Sequence, residues 1–386
     1  AQDFYEGALV LDPGFALARA SLSQVHGKMY WLRFDPQPAR AELQRAEAEE
    51  ALRTDPTLPQ ARVAMGLAHY WGRHDYTKAV NEFNVALVGL PNDSWLWTMV
   101  GLVHRRLGNW VEALDAFEKA VQLSPGDVVG LQALAETFHF LRRYPEAART
   151  YDRALVLAPD HHGMAVDRAR RTYLLWGGEV DTLRAVLERL PDEAFINRGT
   201  RMGQIVRLLH WERQAEDLQQ VLSEMPPDAV IEEQDFFLPV SLFSGWAHKW
   251  RGEADSAAEA FELARALLDS ALIELRDDRR IHFARGLALA GLGLREEALE
   301  EAKWLERSPQ YHDDKYGGTV SMYQRAQILA QVDEAVAALD EIERLLAGPS
   351  VFVSVHTLRL DPLWDPLRKY PRFDELLTRY SNPPDM

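Results

Sequence analysis

The chain has 386 residues, is 47% hydrophobic and 26% charged, and carries a formal net charge of −16. That acidic balance argues against a nucleic-acid-binding surface, because phosphate contacts need concentrated Lys and Arg. Cysteine is absent, which excludes a disulfide framework, a thiol nucleophile and a cysteine metal site, and no apolar run of about 18 residues reads as a membrane span.

Residues 1–13 carry Ala1, Tyr5, Ala8 and Pro13, a spacing that recurs along the chain as the second helix of a helix pair. The first helix of that opening pair is missing, so the chain reads as cut from a longer polypeptide. Residues 14–56 form an expanded unit, interrupted by Phe34-Asp35-Pro36-Gln37-Pro38, with Ala46, Ala48, Ala51 and Leu52 marking its second helix. Residues 57–91, 92–125 and 126–159 are the regular part. There Ala113-x3-Phe117-x2-Ala120-x4-Pro125 returns one period later as Ala147-x3-Tyr151-x2-Ala154-x4-Pro159. One period earlier stand Ala79, Phe83 and Ala86, with Pro91 one place late.

Ahead of these blocks stand Trp97-x2-Val100-Gly101-x2-His104 and Leu131-x2-Leu134-Ala135-x2-Phe138. Such spacing puts one crowded and one slim patch on a single helical face. The slim patch admits a second helix, and alanine allows close approach without loss of helix propensity. Pro13, Pro56, Pro91, Pro125, Pro159 and Pro191 end successive units, since proline cannot continue a helix. Gly108-Asn109 and Arg142-Arg143-Tyr144-Pro145 supply turns within them. The pattern resembles the tetratricopeptide repeat, a helix-turn-helix unit of about 34 residues that buries its core only by stacking on its neighbours. The resemblance implies an all-α, right-handed superhelical solenoid.

The chain accordingly divides into a regular array over 1–159 with an incomplete first repeat, degenerate helical repeats over 160–234, repeats resumed over 235–349, and a capping segment over 350–386. In the degenerate stretch Gly177-Gly178 and Pro226-Pro227 are turns, but the aromatic anchors are lost. The register returns with Gly245, Gly252, Ala257, Phe261 and Ala264, continues through Gly286, Gly293 and Ala298, and ends with a helix from Ala335 to Leu346. Little or no strand is expected; Val351-Phe352-Val353-Ser354-Val355 is the only β-branched cluster. In the tail, Asp361-Pro362 and Asp365-Pro366 can start short helices, while Trp364, Leu367 and Phe373 can cover the last repeat. This tail resembles the closing segment of repeat regions in large bacterial signalling proteins, where such arrays follow kinase, cyclase or winged-helix domains. That context favours the cytoplasm over the periplasm.

No metalloprotease, phosphate-loop or nucleophile-elbow motif is present. Gly286-x4-Gly291-x-Gly293 lacks the preceding strand that a dinucleotide loop requires. His26, His69, His104 and His248 fall at about the same register in four units. Neighbouring helices lie about 8–10 Å apart, against zinc–nitrogen bonds of about 2.0–2.1 Å, so these histidines read as packing residues. Asp160-His161-His162 and His312-Asp313-Asp314 read as solvated turns, and Glu49-Glu50, Glu232-Glu233 and Glu296-Glu297 as solvated faces. No catalytic residue, metal site or cofactor is expected.

The resemblance implies a concave groove lined by the first helix of each unit. Counting from each closing proline turns Tyr70 and Trp71, then Trp95, Thr98, Leu102 and Arg105, then Gln132, Glu136 and His139, then Arg170 and Tyr173 toward it. Aromatic and arginine side chains are those that most often anchor interfaces. The Lys and Asn arrangement with which some family members clamp a terminal carboxylate is missing. The reading is a non-enzymatic scaffold for a protein or peptide ligand, with no direct nucleic-acid contact and no membrane insertion by this segment. A homo-oligomeric assembly module is the rival, and an all-α glycan-processing enzyme, suggested by the 11 Trp, is a third.

Overall fold

The computed structural model describes residues 1–190 and 198–381. Among them, regular structure is helical apart from one short hairpin, in the TPR-like arrangement of stacked helix pairs. Two compact units are formed, Ala1–Leu134 and Ala135–Met386.

The first unit contains α1 (Gln2–Leu11), α2 (Ala16–Trp31), α3 (Pro38–Thr54), α4 (Pro59–Leu67), α5 (Tyr76–Gly89), α6 (Ser94–Leu107) and α7 (Trp110–Leu123). Helix α8 (Val128–Phe140) contains the division. The second unit continues with α9 (Tyr144–Leu157), α10 (His162–Arg168), α11 (Val180–Arg189), α12 (Arg198–Trp211) and α13 (Ala215–Ser223). After the hairpin come α14 (Val240–Trp250), α15 (Ala254–Glu274), α16 (Arg279–Gly291), α17 (Arg295–Arg307), α18 (Pro309–Asp313), α19 (Gly317–Gln331), α20 (Ala335–Ala347), α21 (Val355–Leu360) and α22 (Pro371–Arg379). Helices α4 and α10 each run on into a wider π-type turn, Ala68–Gly72 and Ala169–Gly177. The pairs α2–α3, α4–α5, α6–α7, α14–α15, α16–α17 and α19–α20 pack together.

Glycine on the first helix sets how close these pairs come. A Cβ added at Gly66 would lie 2.3 Å from the Phe83 ring, at Gly101 2.7 Å from Phe117, and at Gly245 2.6 Å from Phe261. The three rings are buried, as are the flanking alanines Ala79, Ala86, Ala113 and Ala120. Asp75 and Asp93 start α5 and α6 by accepting from the backbone N–H of Lys78 (3.1 Å) and Leu96 (2.9 Å), the usual service of an N-cap side chain. Gly108, at φ 80°, ends α6 in the left-handed conformation that favours glycine.

The stretch 160–234 contains the helix pairs α10–α11 and α12–α13, without the aromatic anchors of the regular repeats. Strand occurs at β1 (Val230–Glu232) and β2 (Phe237–Pro239), antiparallel with Ile231 opposite Leu238, and not at Val351–Val355. Pro226-Pro227 stops α13 from continuing, and alternation then buries Ile231 and Leu238 on one face. At the other site Ser354 and Thr357 form a capping box that starts α21 instead.

In the tail, Asp361 accepts from the Leu363 N–H at 2.9 Å and starts a 3-10 turn over Pro362–Leu367. Trp364, Leu367 and Phe373 are buried. Arg372 on α22 reaches Asp340 and Glu343 on α20, both at 2.6 Å.

Gly101→Leu should lower stability by about 1–3 kcal/mol through overpacking, less the roughly 0.8–1.0 kcal/mol that glycine costs within a helix. Gly7→Ala in α1, where an added Cβ meets nothing within 4 Å, should instead raise it by about 0.5–1 kcal/mol. Thermal unfolding followed by circular dichroism reads both; an unchanged or raised Tm for Gly101→Leu contradicts the packing described.

Candidate functional site

The inner-face positions fare unequally. On α6, Trp95 and Leu102 lie two helical turns apart on one face and are partly buried against the core of the first unit, while Thr98 and Arg105 are buried. The Thr98 hydroxyl donates back to the Ser94 carbonyl at 3.1 Å. Tyr70 (2% exposed) and Trp71 (6%) are core residues rather than groove residues. With Trp31 and Tyr76 they form an aromatic cluster whose neighbouring centroids lie 5.4 to 6.5 Å apart. The cause is the π-type turn over Ala68–Gly72, which inserts a residue and rotates the register counted from Pro91.

In the second unit, Glu136 and Arg170 belong to an internal ionic cluster, while Gln132, on the part of α8 that falls in the first unit, is half-buried. Arg170 Nη2 lies 2.9 Å from Asp167 Oδ1, Arg171 Nε 3.5 Å from the same oxygen, and Arg171 Nη2 3.8 Å from Glu136 Oε1. Burial pushes the Asp167 carboxyl up, but the two arginines outweigh it and hold it below the usual carboxylate range. His139 is buried 5.8 Å from the Tyr144 ring. Its pKa is depressed well below normal by burial, then by the charges of Arg171, Arg142 and Arg170. Tyr173 is half-buried, with the Arg168 guanidinium 4.9 Å from its ring centroid.

A row of turns in this unit is occupied by the chain itself. Arg142, Gly178 and Arg213 stand in the α8–α9, α10–α11 and α12–α13 turns, about one repeat apart, each with left-handed φ of 61°, 73° and 57°. Residues 345–365 cross all three. Arg142 donates to the carbonyls of Leu345 (2.7 Å), Gly348 (3.2 Å) and Val353 (3.1 Å). The Ser350 N–H donates to the Phe140 carbonyl at 3.1 Å. At Gly178 a Cβ would meet the His356 ring at 2.7 Å. Arg213 donates to the Leu360 carbonyl (3.0 Å) and to Asp365 (2.6 Å). A signal for this strap was present in the sequence: arginine stands where Gly108, Gly252 and Gly293 take the same left-handed turn.

The remaining polar clusters serve local structure. His104 Nδ1 pairs with Asn109 (3.2 Å) and His248 Nδ1 with Glu253 (2.6 Å), both across the turn that follows their helix. His161 accepts from the Met164 N–H at 3.2 Å, and Asp314 from those of Tyr316 (2.9 Å) and Gly317 (2.7 Å). Glu232 and Glu233 are not simply solvated: the hairpin brings them to Arg280 (3.1 Å) and Arg207 (3.2 Å). Among the described residues, no group of three or more His, Asp or Glu is placed to hold a metal ion, and no helix is long and apolar enough to cross a membrane.

Two tetratricopeptide-repeat family models match, one over residues 94–127 and the other over 131–161. These residues therefore carry tetratricopeptide repeats. Over 90 residues the chain is 30% identical to TPR repeat-containing protein MJ1428 of Methanocaldococcus jannaschii, covering 23% of this chain and 15% of that protein. Over 113 residues it is 29% identical to the peroxisomal targeting signal receptor of Eremothecium gossypii, covering 28% and 20%. The chain spans between 6% and 22% of the length of the curated relatives it matches. Among solved structures, it resembles pilF of Pseudomonas aeruginosa at 17% identity, covering 53% of this chain and 89% of that one, with a TM-score of 0.42. It also resembles YrrB, a TPR protein with an unusual peptide-binding site, at 18% identity, 49% and 91% coverage and a TM-score of 0.35.

Arg142→Ala should release the strap. Losing three hydrogen bonds from one charged donor, each worth about 1.5–3 kcal/mol before relaxation, should destabilise the second unit by about 2–4 kcal/mol. Amide exchange in residues 345–354 should accelerate. Exchange in that stretch identical to the wild type would show that Arg142 does not hold it.

Proposed function

We propose that the chain is a binding scaffold rather than an enzyme, taking a protein or peptide ligand along the first-helix face of its first unit. The observation that carries this is the pair Trp95 and Leu102, which lie on one face of α6 within a matched repeat and, though partly buried against the core, keep part of their apolar surface open. A rigid aromatic and an aliphatic side chain two turns apart suit an extended or helical peptide. A similar protein agrees in kind: the Eremothecium gossypii relative is a peroxisomal targeting signal receptor. The finer reading, that such binding serves a larger bacterial signalling or regulatory protein, draws on the character of residues 350–386.

A peptide library displayed on phage and selected on the full chain tests the proposal. Selected peptides should bind Trp95→Ala or Leu102→Ala more weakly by more than about 1 kcal/mol. Glu118→Lys, at an exposed position on α7, should leave binding almost unchanged. Equal affinities for all three variants would move the site off α6.

Self-assembly is the second reading, and it draws on α1, where Phe4, Val10 and Leu11 are almost wholly exposed. Light scattering should then show a concentration-dependent dimer that Val10→Glu abolishes; a monomer at all concentrations removes this reading.

A further inference from the structure

The second unit holds a partly open pocket of about 70 Å³, several times the space one ordered water needs. Its walls are largely apolar: Phe236, Phe243, Trp246, Phe283 and Leu287, with Phe352 of the strap on another side. Polar side chains buried in such surroundings almost always find a partner. Here two do not. His210 is 4% exposed and has no hydrogen-bond partner on either ring nitrogen; Arg207 is 8% exposed and has none on Nη2.

The polar groups around them are already engaged. Asp361 accepts from the Leu363 N–H (2.9 Å) and from Gln327 Nε2 (3.0 Å), and the same Gln327 amide donates to the Tyr323 hydroxyl (2.9 Å). Arg207 Nη1 pairs with Glu233 at 3.2 Å. Arg170 and Arg171 also reach the wall, but both are paired with Asp167. The unmet capacity is thus Arg207 Nη2, the His210 imidazole and Arg171 Nε, which has only its ion pair with Asp167, beside aromatic rings.

We propose that this cavity binds a small monocarboxylate with an apolar, ring-bearing or branched body. A guanidinium nitrogen makes a strong charge-assisted hydrogen bond to a carboxylate or phosphate oxygen, and Arg207 is held for the task with its Cζ 4.3 Å from the Phe236 ring centroid. Burial, then the charges of Arg213 and Arg207, hold His210 down to a pKa of about 3. It therefore remains neutral near pH 7, with one donor and one acceptor to offer. Glu233 beside Arg207, and Asp361 at 3.9 Å from His210, oppose a second negative charge, so phosphate suits the site poorly. The ring-bearing body replaces water against Phe243, Trp246 and Phe283. Because Phe352 also lines the cavity, the bound molecule bridges the strap to α12 and α14.

The probes are phenylacetate, benzoate and isovalerate, titrated into the full chain by calorimetry and by tryptophan fluorescence, which Trp246 supplies. At least one should bind saturably with a Kd below about 1 mM and raise the Tm with concentration. The matching neutral amide should bind about tenfold more weakly or worse, and inorganic phosphate should not compete. Arg207→Gln should weaken binding by about tenfold or more. Since that change also breaks the pair with Glu233, Leu287→Phe provides the second variant: it fills the cavity with apolar volume and should abolish binding while the Tm holds. Absence of binding by all three probes up to about 10 mM, equal affinity in both variants, or displacement by phosphate would each overturn the proposal.

Discussion

Three of the helix pairs close by seating an aromatic ring of the second helix against a glycine of the first: Phe83 on Gly66, Phe117 on Gly101, Phe261 on Gly245. The geometry leaves no room for a Cβ. Burying one such ring is worth about 1.5–3 kcal/mol, and it is gained only if the two backbones come together at the short end of the usual 8–10 Å range. Alanines flanking each ring keep that approach open along the helix. The same contact repeated at the repeat period is what turns a string of short helices, none stable alone, into a stack.

Once stacked, the pairs present two rows of positions, and the chain treats them differently. On α6 of the first unit, Trp95 and Leu102 keep exposed apolar area, which is the basis for reading that face as a docking surface. In the second unit the row of inter-helix turns is crossed by residues 345–365, clamped by Arg142 and Arg213. There Glu136 and Arg170 join Asp167 and Arg171 in an ion cluster, so their charge is spent internally. Buried networks of this kind are costly when half-satisfied, and Arg207 and His210 nearby are among the buried side chains of the unit with unpartnered nitrogens.

Much of this was legible in the sequence. The Ala-Phe-Ala-Pro spacing fixed the period, the slim patch on the first helix marked where the second approaches, and Trp364, Leu367 and Phe373 in the tail read as apolar cover and are buried. What escaped the reading has identifiable causes. Tyr70 and Trp71 were counted into the groove because residue counting assumes an unbroken α-helix, and a π-type turn adds one residue. The hairpin at Val230–Pro239 is too short to show a period. The strap depends on contacts between residues some two hundred positions apart, as from Arg142 to Leu345, which no local pattern encodes. Its trace was an arginine at a turn position that glycine usually fills.

The ring–glycine contact can be isolated by a double-mutant cycle of Gly101→Ala and Phe117→Leu, with stability measured by urea unfolding. Gly101→Ala places a methyl group 2.7 Å from the Phe117 ring and should destabilise despite alanine's better helix propensity. Shortening the ring to leucine should then make room, so that the double variant is more stable than the sum of the single changes predicts. A coupling energy of about 1 kcal/mol or more, in the range found for residues in contact, is the expected result. Additivity within about 0.5 kcal/mol would contradict the claim that this contact sets the spacing of the helix pairs.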